Sequence, residues 1–433
     1  METKKQQNIK DQGIKISSIK GVNDVLPPET VIWNIIESEA KAIFTTFGYS
    51  EIKIPIFEET RLFSRSIGDG TDIVEKEMYT FTDKKGLGIT LRPEGTASVV
   101  RALIEHKLYA QSSINKLYYF GPMFRYERPQ AGRSRQFYQI GAEAFGVSHP
   151  GQDAELVNLI VLLFDRLKVS SYTVNVNSVG CPQCRSEYKK SLQDFLQDKL
   201  GNLCEDCKCR IQRNPFRILD CKNELCKAQL VSAPIIEEYL CQPCKDHFKK
   251  FQDYLRLLDI PFTVNPHLVR GLDYYTKTTF EINSEILGAQ NAIAGGGRYD
   301  NLVSQFSGPD TPATGFAIGV ERLFLAIKDN YRFSYPPDTL IYIVALGEDA
   351  QRKAFQFQAE LRKRGIKTEI DAEGKSIKAQ LRSANRYKAR FSLIIGENEL
   401  IKQKVLLKDM KTSEQEEVEI SRAVEVVLKK GGF

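Results

Sequence analysis

Apolar residues recur at helical spacing over residues 30–47, where Ile32, Ile35, Ile36, Ala40, Ile43 and Phe44 fall on one face and Gly48 stands at a helix stop. Residues 50–54 alternate like a strand and end at Pro55. Two longer strand-like runs, 116–125 and 135–145, flank a polar loop from Tyr126 to Ser134 with Pro129 and Gly132, which predicts a long hairpin. A strand ending at Leu91 feeds a helix over 98–106, and strands are expected at 171–177 and 278–282. The pattern breaks at residues 333–337, at Tyr335-Pro336-Pro337. Beyond it the order is strand 340–346, helix 348–363, strand 367–370, helix 377–387, strand 391–395, which predicts a small α/β domain with a largely parallel sheet.

A length of 433 residues predicts two to four domains. With 42% hydrophobic and 27% charged residues the chain is ordinary globular material, which excludes disordered, collagenous and small disulfide-stapled classes. No stretch approaches the roughly 18 uncharged apolar residues of a membrane span. The N-terminus is polar, without a secretory core, so the expected compartment is the cytoplasm. The net charge of +6 is mild, but residues 351–410 hold 15 Lys/Arg against 7 Asp/Glu. That footprint fits either a polyanion-binding surface or a solvated basic face.

Four stretches carry candidate chemistry. On the second hairpin strand Phe137, Gln139, Gly141, Glu143 and Phe145 share one face, a polar row with a glycine gap that lets something approach the sheet. Arg125 ends the partner strand, and Glu127, Arg128, Arg133 and Arg135 follow. A salt-bridged, solvent-facing hairpin is the plain alternative. Arg92-Pro93-Glu94-Gly95-Thr96 turns into a helix; Thr96 fits an N-cap, or Glu94 faces a pocket and takes an ammonium. Arg270-Gly-Leu-Asp-Tyr274-Tyr275 precedes the glycine run Gly295–Gly297, which permits close backbone approach or a simple bend. Gly315, Ala317 and Gly319 make a nearly bare strand face on which a flat ring fits. Arg322 follows in the first helical turn, where a cation opposes the helix dipole and so points to an anion.

All nine cysteines fall between Cys181 and Cys244. Cys181-x2-Cys184 and Cys241-x2-Cys244 have zinc-ligand spacing, and disulfides are not expected in a reducing compartment. A structural Zn²⁺ on Cys181, Cys184, Cys241 and Cys244 is expected, and Cys204, Cys207, Cys221 and Cys226 offer a second site with Cys209 spare. The plain alternative is a set of small apolar residues.

Together these stretches resemble the class II aminoacyl-tRNA synthetases, and within them the histidyl-tRNA synthetases. The helix–strand–Pro55 stretch resembles motif 1. Phe124-Arg125-Tyr-Glu127 through Arg135-Gln-Phe137 resembles motif 2, and Gly315 through Arg322-Leu resembles motif 3. Leu-Arg-Pro-Glu94-Gly-Thr96 and Leu-Val-Arg270-Gly-Leu-Asp-Tyr-Tyr resemble the histidine-specific elements. The resemblance implies an α+β catalytic domain, an antiparallel sheet with flanking helices, over 1–170 and 261–332. It further implies a Cys-rich insertion at 171–260 and a C-terminal α/β anticodon-binding domain at 338–433.

The implied reaction joins L-histidine to ATP as histidyl-adenylate, then passes the histidyl group to tRNA(His), with Mg²⁺ on the phosphates and the chain a homodimer. Such chemistry is mostly positioning and charge stabilisation. Arg125 and Arg270 would be catalytic, flanking the α-phosphate and the histidine carboxylate. Arg322 would hold the γ-phosphate, Phe137 the adenine, and Glu127 would also face ATP. Glu94 and Thr96 would bind the ammonium, Gln139 the carboxylate side, and Glu143 with Tyr275 the imidazole, beside Tyr274. The alternative within this likeness is a non-catalytic regulatory subunit of ATP phosphoribosyltransferase.

Overall fold

The computed structural model describes residues 16–68, 71–288, 291–331 and 341–431. The chain divides into two units, Met1–Tyr331 and Arg332–Phe433. The break expected at residues 333–337 lies outside the described residues.

In chain order the first unit contributes β1 (Ser50–Glu51), β2 (Phe57–Glu59), β3 (Thr80–Thr82), β4 (Gly88–Leu91), β5 (Asn115–Phe124), β6 (Gln136–Phe145), β7 (Tyr172–Ser178), β8 (Thr263–Val264), β9 (Thr276–Ser284), β10 (Ala292–Arg298) and β11 (Ala313–Gly319). Eight of them form one sheet in the order β1-β5-β6-β11-β10-β9-β7-β8. The six inner strands pair antiparallel, and each edge strand is added parallel. A smaller sheet runs β2-β4-β3.

Strand alternation decides which face is which. Ile140, Ala142 and Ala144 of β6, with Phe316 and Ile318 of β11, turn into a core closed by the helices Glu29–Thr46, Pro150–Arg166, Gln242–Leu257 and Val320–Ile327. Ile32, Ile36, Ala40, Ile43 and Phe44 supply the first helix's buried stripe, as their spacing predicts. Each of the isoleucine and phenylalanine side chains adds about 1.5–3 kcal/mol on burial. Phe137, Gln139, Gly141, Glu143 and Phe145 alternate to the opposite side, where the cleft lies.

The predicted hairpin forms, with Tyr119 opposite Gly141 and Leu117 opposite Glu143. Between β7 and β9 the chain makes the helices Pro182–Gln197, Glu205–Arg213 and Glu224–Leu230 around a small core of their own. The expected limits 171–260 enclose more than this module. Tyr172–Ser178 is a strand of the main sheet, and the helix Gln242–Leu257 lends Phe248, Phe251 and Leu255 to the main core.

In the second unit β12 (Ile341–Ala345), β13 (Thr368–Ile370) and β14 (Phe391–Ile395) pair parallel, as alternation with the helices Glu348–Lys363 and Ile377–Arg386 predicts. β15 (Lys404–Asp409) and β16 (Gln415–Glu419) add an antiparallel hairpin the sequence analysis did not anticipate. The Asp409 carboxylate closes its turn by accepting the backbone N–H groups of Lys411 at 2.8 Å and Thr412 at 3.0 Å.

Candidate active site

One open cleft gathers Glu94, Thr96, Arg125, Glu127, Phe137, Gln139, Arg270, Tyr274, Tyr275 and Arg322. Motif-like stretches far apart in sequence meet because β5, β6, β11, β10 and β9 are neighbours.

Four guanidinium groups converge here: Arg125, Arg133, Arg270 and Arg322. Burial pulls the Arg322 pKa down to about 10, and repulsion from Arg133 and Arg125 adds to it. The Arg125 pKa falls for the same reasons, burial first, with Arg270 among its repelling neighbours. Guanidinium groups crowded closely enough to repel one another mark a site for a polyanion. Each group is also held in place. Arg322 Nε donates to the Gly132 carbonyl at 2.9 Å and Nη1 to the Ala292 carbonyl at 2.7 Å. Arg125 Nε donates to the Pro93 carbonyl at 2.9 Å, and its guanidinium lies 5.2 Å from the Phe137 ring centre. Arg133 pairs with Glu127, and Arg270 with Glu281.

Among the described residues lining the cleft, three buried polar atoms have no hydrogen-bond partner: Gln139 Oε1, Arg270 Nε and Tyr119 Oη. An unmet buried group is costly, so the cleft is built to be completed by a polar ligand.

The expected N-cap exchange is different in detail. The Glu94 carboxylate, not the Thr96 hydroxyl, accepts the helix N-terminal N–H groups, from Thr96 at 2.6 Å and Ala97 at 2.9 Å. A carboxylate two residues earlier reaches those donors and meets the helix dipole. Burial raises the Glu94 pKa, and those N–H bonds only partly offset it. Thr96 Oγ1 instead donates to Glu143 at 2.7 Å.

Glu143 is wholly buried and also accepts the Tyr299 hydroxyl; it lies behind the lining of the cleft. Burial lifts its pKa to about 8 against the pull of those two hydroxyls. The gap at Gly141 is filled by the Tyr119 phenol. Gly315 stands opposite Glu143, and a Cβ there would overlap its carboxylate. The bare face of β11 therefore makes room for Glu143 at Gly315, and only Ala317 and Gly319 line the cleft. Arg92 is structural: it donates to the carbonyls of Pro122 at 2.8 Å and Ile54 at 2.7 Å.

All nine cysteines are free thiols, and eight form two clusters: Cys181, Cys184, Cys241 and Cys244, and Cys204, Cys207, Cys221 and Cys226. Within each, the sulfur atoms lie within 4.8 Å of one another. Cys209 is exposed and outside both.

The family model for histidyl-tRNA synthetase matches residues 21–323, and one for an anticodon-binding domain matches residues 340–430. The chain belongs to the histidyl-tRNA synthetase family. Among histidyl-tRNA synthetases and their kin, it is 52% identical to the histidine–tRNA ligase of Geobacter sulfurreducens over 94% of this chain and 98% of that protein. It is 50% identical to the one of Halothermothrix orenii, over 96% and 99%. The crystal structure of apo S. aureus histidyl-tRNA synthetase superposes with a TM-score of 0.80 at 36% identity, covering 95% of this chain and all of that one. A Bacillus halodurans structure titled as an ATP phosphoribosyltransferase regulatory subunit/histidyl-tRNA synthetase shares the fold alone, at 19% identity and a TM-score of 0.63 over 88% of this chain and 97% of that one.

Four residues in or just behind the cleft are not singled out by the sequence reading. Tyr119 lies on β5, and its phenol fills the space opposite Gly141. Tyr299 follows the glycine run and bonds Glu143. Glu281 neutralises Arg270 from β9. Glu321, next to Arg322, accepts the Tyr138 N–H at 2.9 Å, and burial lifts its pKa to about 7. Only Glu321 and Tyr299 adjoined a motif already singled out; cross-strand pairing was the missing signal for the others.

Proposed function

We propose that the protein is a histidine–tRNA ligase working in two steps. The histidine carboxylate oxygen attacks the ATP α-phosphorus, the bond to the β-phosphate oxygen breaks, and pyrophosphate leaves with histidyl-adenylate retained. A terminal ribose hydroxyl of tRNA(His) then attacks the carbonyl carbon, and AMP leaves. The observation that carries this reading is the convergence of four guanidinium groups on a cleft with three unpartnered buried polar atoms. The non-catalytic alternative rests on fold-level likeness and leaves the arginine cluster without a task.

The roles follow from placement. Arg125 and Arg270 flank the reacting α-phosphate and histidine carboxylate and are the catalytic groups, stabilising charge that grows in the transition state. Arg322, tethered at two points, holds the γ-phosphate. Phe137, already paired with a guanidinium, receives the adenine. Gln139 assists at the carboxylate side, where its amide N–H group donates. Glu94 draws the ammonium while capping its helix, and Thr96 acts through Glu143. Tyr275 and Tyr274, with ring centres 4.8 Å apart, and Glu143 behind them make the imidazole end. A site that meets both ring nitrogens rejects analogues by about 10⁴-fold.

Glu127 and Glu321 line the cleft and are the carboxylates that would hold Mg²⁺, which would supply charge neutralisation at the phosphates. Cys181, Cys184, Cys241 and Cys244 hold a structural Zn²⁺. The basic second unit receives the anticodon arm, through phosphate contacts and base stacking. The chain works in the cytoplasm, where its tRNA substrate is used. It acts as a homodimer, supported by exposed Ile56, Phe57, Phe81 and Leu87 on and beside the small sheet. No described helix is long and apolar enough to cross a membrane.

The test is charging of a tRNA(His) transcript with labelled histidine. ATP-dependent formation of histidyl-tRNA is expected, and histidine binding without charging would overturn the reading.

A further inference from the structure

The second cysteine cluster lies outside the cleft and has no part in the reaction above. Its four sulfurs converge within 4.8 Å, and three of the four residues are buried. Two sulfurs on one tetrahedral zinc at about 2.3 Å stand about 3.8 Å apart. Cys204 and Cys221 have their sulfurs 3.9 Å apart. A disulfide requires about 2.05 Å. Cys226 Sγ also accepts the Cys204 backbone N–H at 3.2 Å, the kind of outer bond that orients a metal-bound thiolate. The module's apolar core is small, the condition in which folded units depend on metals or disulfides.

The cluster closes a loop, and that loop has a task. Arg210, Arg213, Asn214 and Arg217 all lie between Cys207 and Cys221. Arg210 bonds Asp72 at 2.7 Å, and Arg213 bonds Glu75 at 2.8 Å. Arg217 reaches Asp72 at 3.4 Å and donates to the backbone carbonyl of Arg270 at 3.3 Å. Asn214 donates to Asp273 at 2.8 Å. The segment so gripped leads straight to the cleft. The Glu77 carbonyl accepts the Tyr126 N–H at 2.7 Å, and the Glu77 carboxylate lies 3.8 Å from Arg133. Exposed ion pairs are individually weak, so the array acts only if the loop presents its donors already in position.

We propose that Cys204, Cys207, Cys221 and Cys226 bind a zinc ion that serves as a positioning site: it fixes the 208–220 loop as a clamp on Asp72–Glu77 and on the backbone of Arg270. Zinc touches no reacting atom. Its loss releases the clamp and loosens Arg133 and Arg270 together.

Metal analysis of the full chain, purified without chelator, is expected to give two zinc equivalents, and the Cys204→Ser/Cys226→Ser variant one. Hydrogen exchange over residues 71–77 is expected to lose protection in that variant. Histidine-dependent ATP–pyrophosphate exchange, a readout that rests on the proposed function, is expected to fall about 10- to 100-fold, as misplaced catalytic groups do. Arg210→Ala/Arg217→Ala keeps two zinc ions and is expected to reproduce both losses, which separates the clamp from a general failure to fold. Iron in place of zinc, equal zinc in the cysteine variant and wild type, or full protection of residues 71–77 in both variants would overturn the proposal. If the wild type activates no amino acid, the ligase reading fails while the metal and exchange data still decide this one.

Discussion

Gly295 lies against the guanidinium of Arg270: a Cβ on the glycine would overlap that side chain. Gly295 thus makes room for the arginine proposed as catalytic rather than for a bend. Gly295→Ala is expected to displace Arg270 while leaving the sheet intact. ATP–pyrophosphate exchange should fall about 10²-fold, approaching the loss from Arg270→Ala. Wild-type exchange from Gly295→Ala would show that Arg270 is not where the reaction needs it.

Arg322 is bound to the carbonyls of Gly132 and Ala292 and leaves one terminal amino group for a ligand. Arg322→Ala is expected to raise KM for ATP about tenfold or more, with KM for histidine changed less than about threefold. Steady-state exchange kinetics with each substrate varied make the distinction. A selective loss of histidine affinity would contradict the phosphate role.

Glu143 gives a pH signature. Its folded pKa of about 8 stands above its ordinary 4.5, with burial the main cause. The folded protein therefore holds a proton that the unfolded chain releases. This stability contribution is complete below the unfolded pKa and is lost as pH rises through the folded one, by at most about 1.4 kcal/mol per pH unit. Glu143→Gln is expected to flatten the decline in unfolding midpoint between pH 5 and 8, read by denaturant titration. An unchanged slope would contradict the buried, protonated carboxyl.

In the second unit Arg382 and Arg386 are exposed on the helix Ile377–Arg386. If this surface meets tRNA phosphates, Arg382→Ala/Arg386→Ala raises KM for tRNA several-fold, roughly 3–10, and lowers its salt dependence. Pyrophosphate exchange without tRNA should be unchanged. Loss of exchange in this variant would contradict the division of labour between the units.

Much of this was legible because motifs and periodicity are local. The helices over 30–47 and 348–363 and the long hairpin follow from apolar spacing within a window of residues. Arg125, Phe137, Arg270 and Arg322 stood out because short patterns surround them. What escaped is set by register. Glu281 meets Arg270 because β9 borders β10, and the Tyr119 phenol fills the gap at Gly141 because β5 pairs with β6; no window of sequence contains either pair. The Thr96 hydroxyl serves Glu143 rather than its helix for the same reason, a carboxylate arriving from another strand. A strand at 171–177 was legible, but only its pairing with β9 shows that it belongs to the main sheet.

The central claim is that this cleft activates histidine. ATP–pyrophosphate exchange without tRNA, run with each of the twenty amino acids, tests it most directly. The account predicts exchange with histidine and with no other amino acid. Exchange with a different amino acid would overturn the roles of Glu143 and Tyr275, and no exchange from folded, histidine-binding protein would contradict the claim that this site is catalytic.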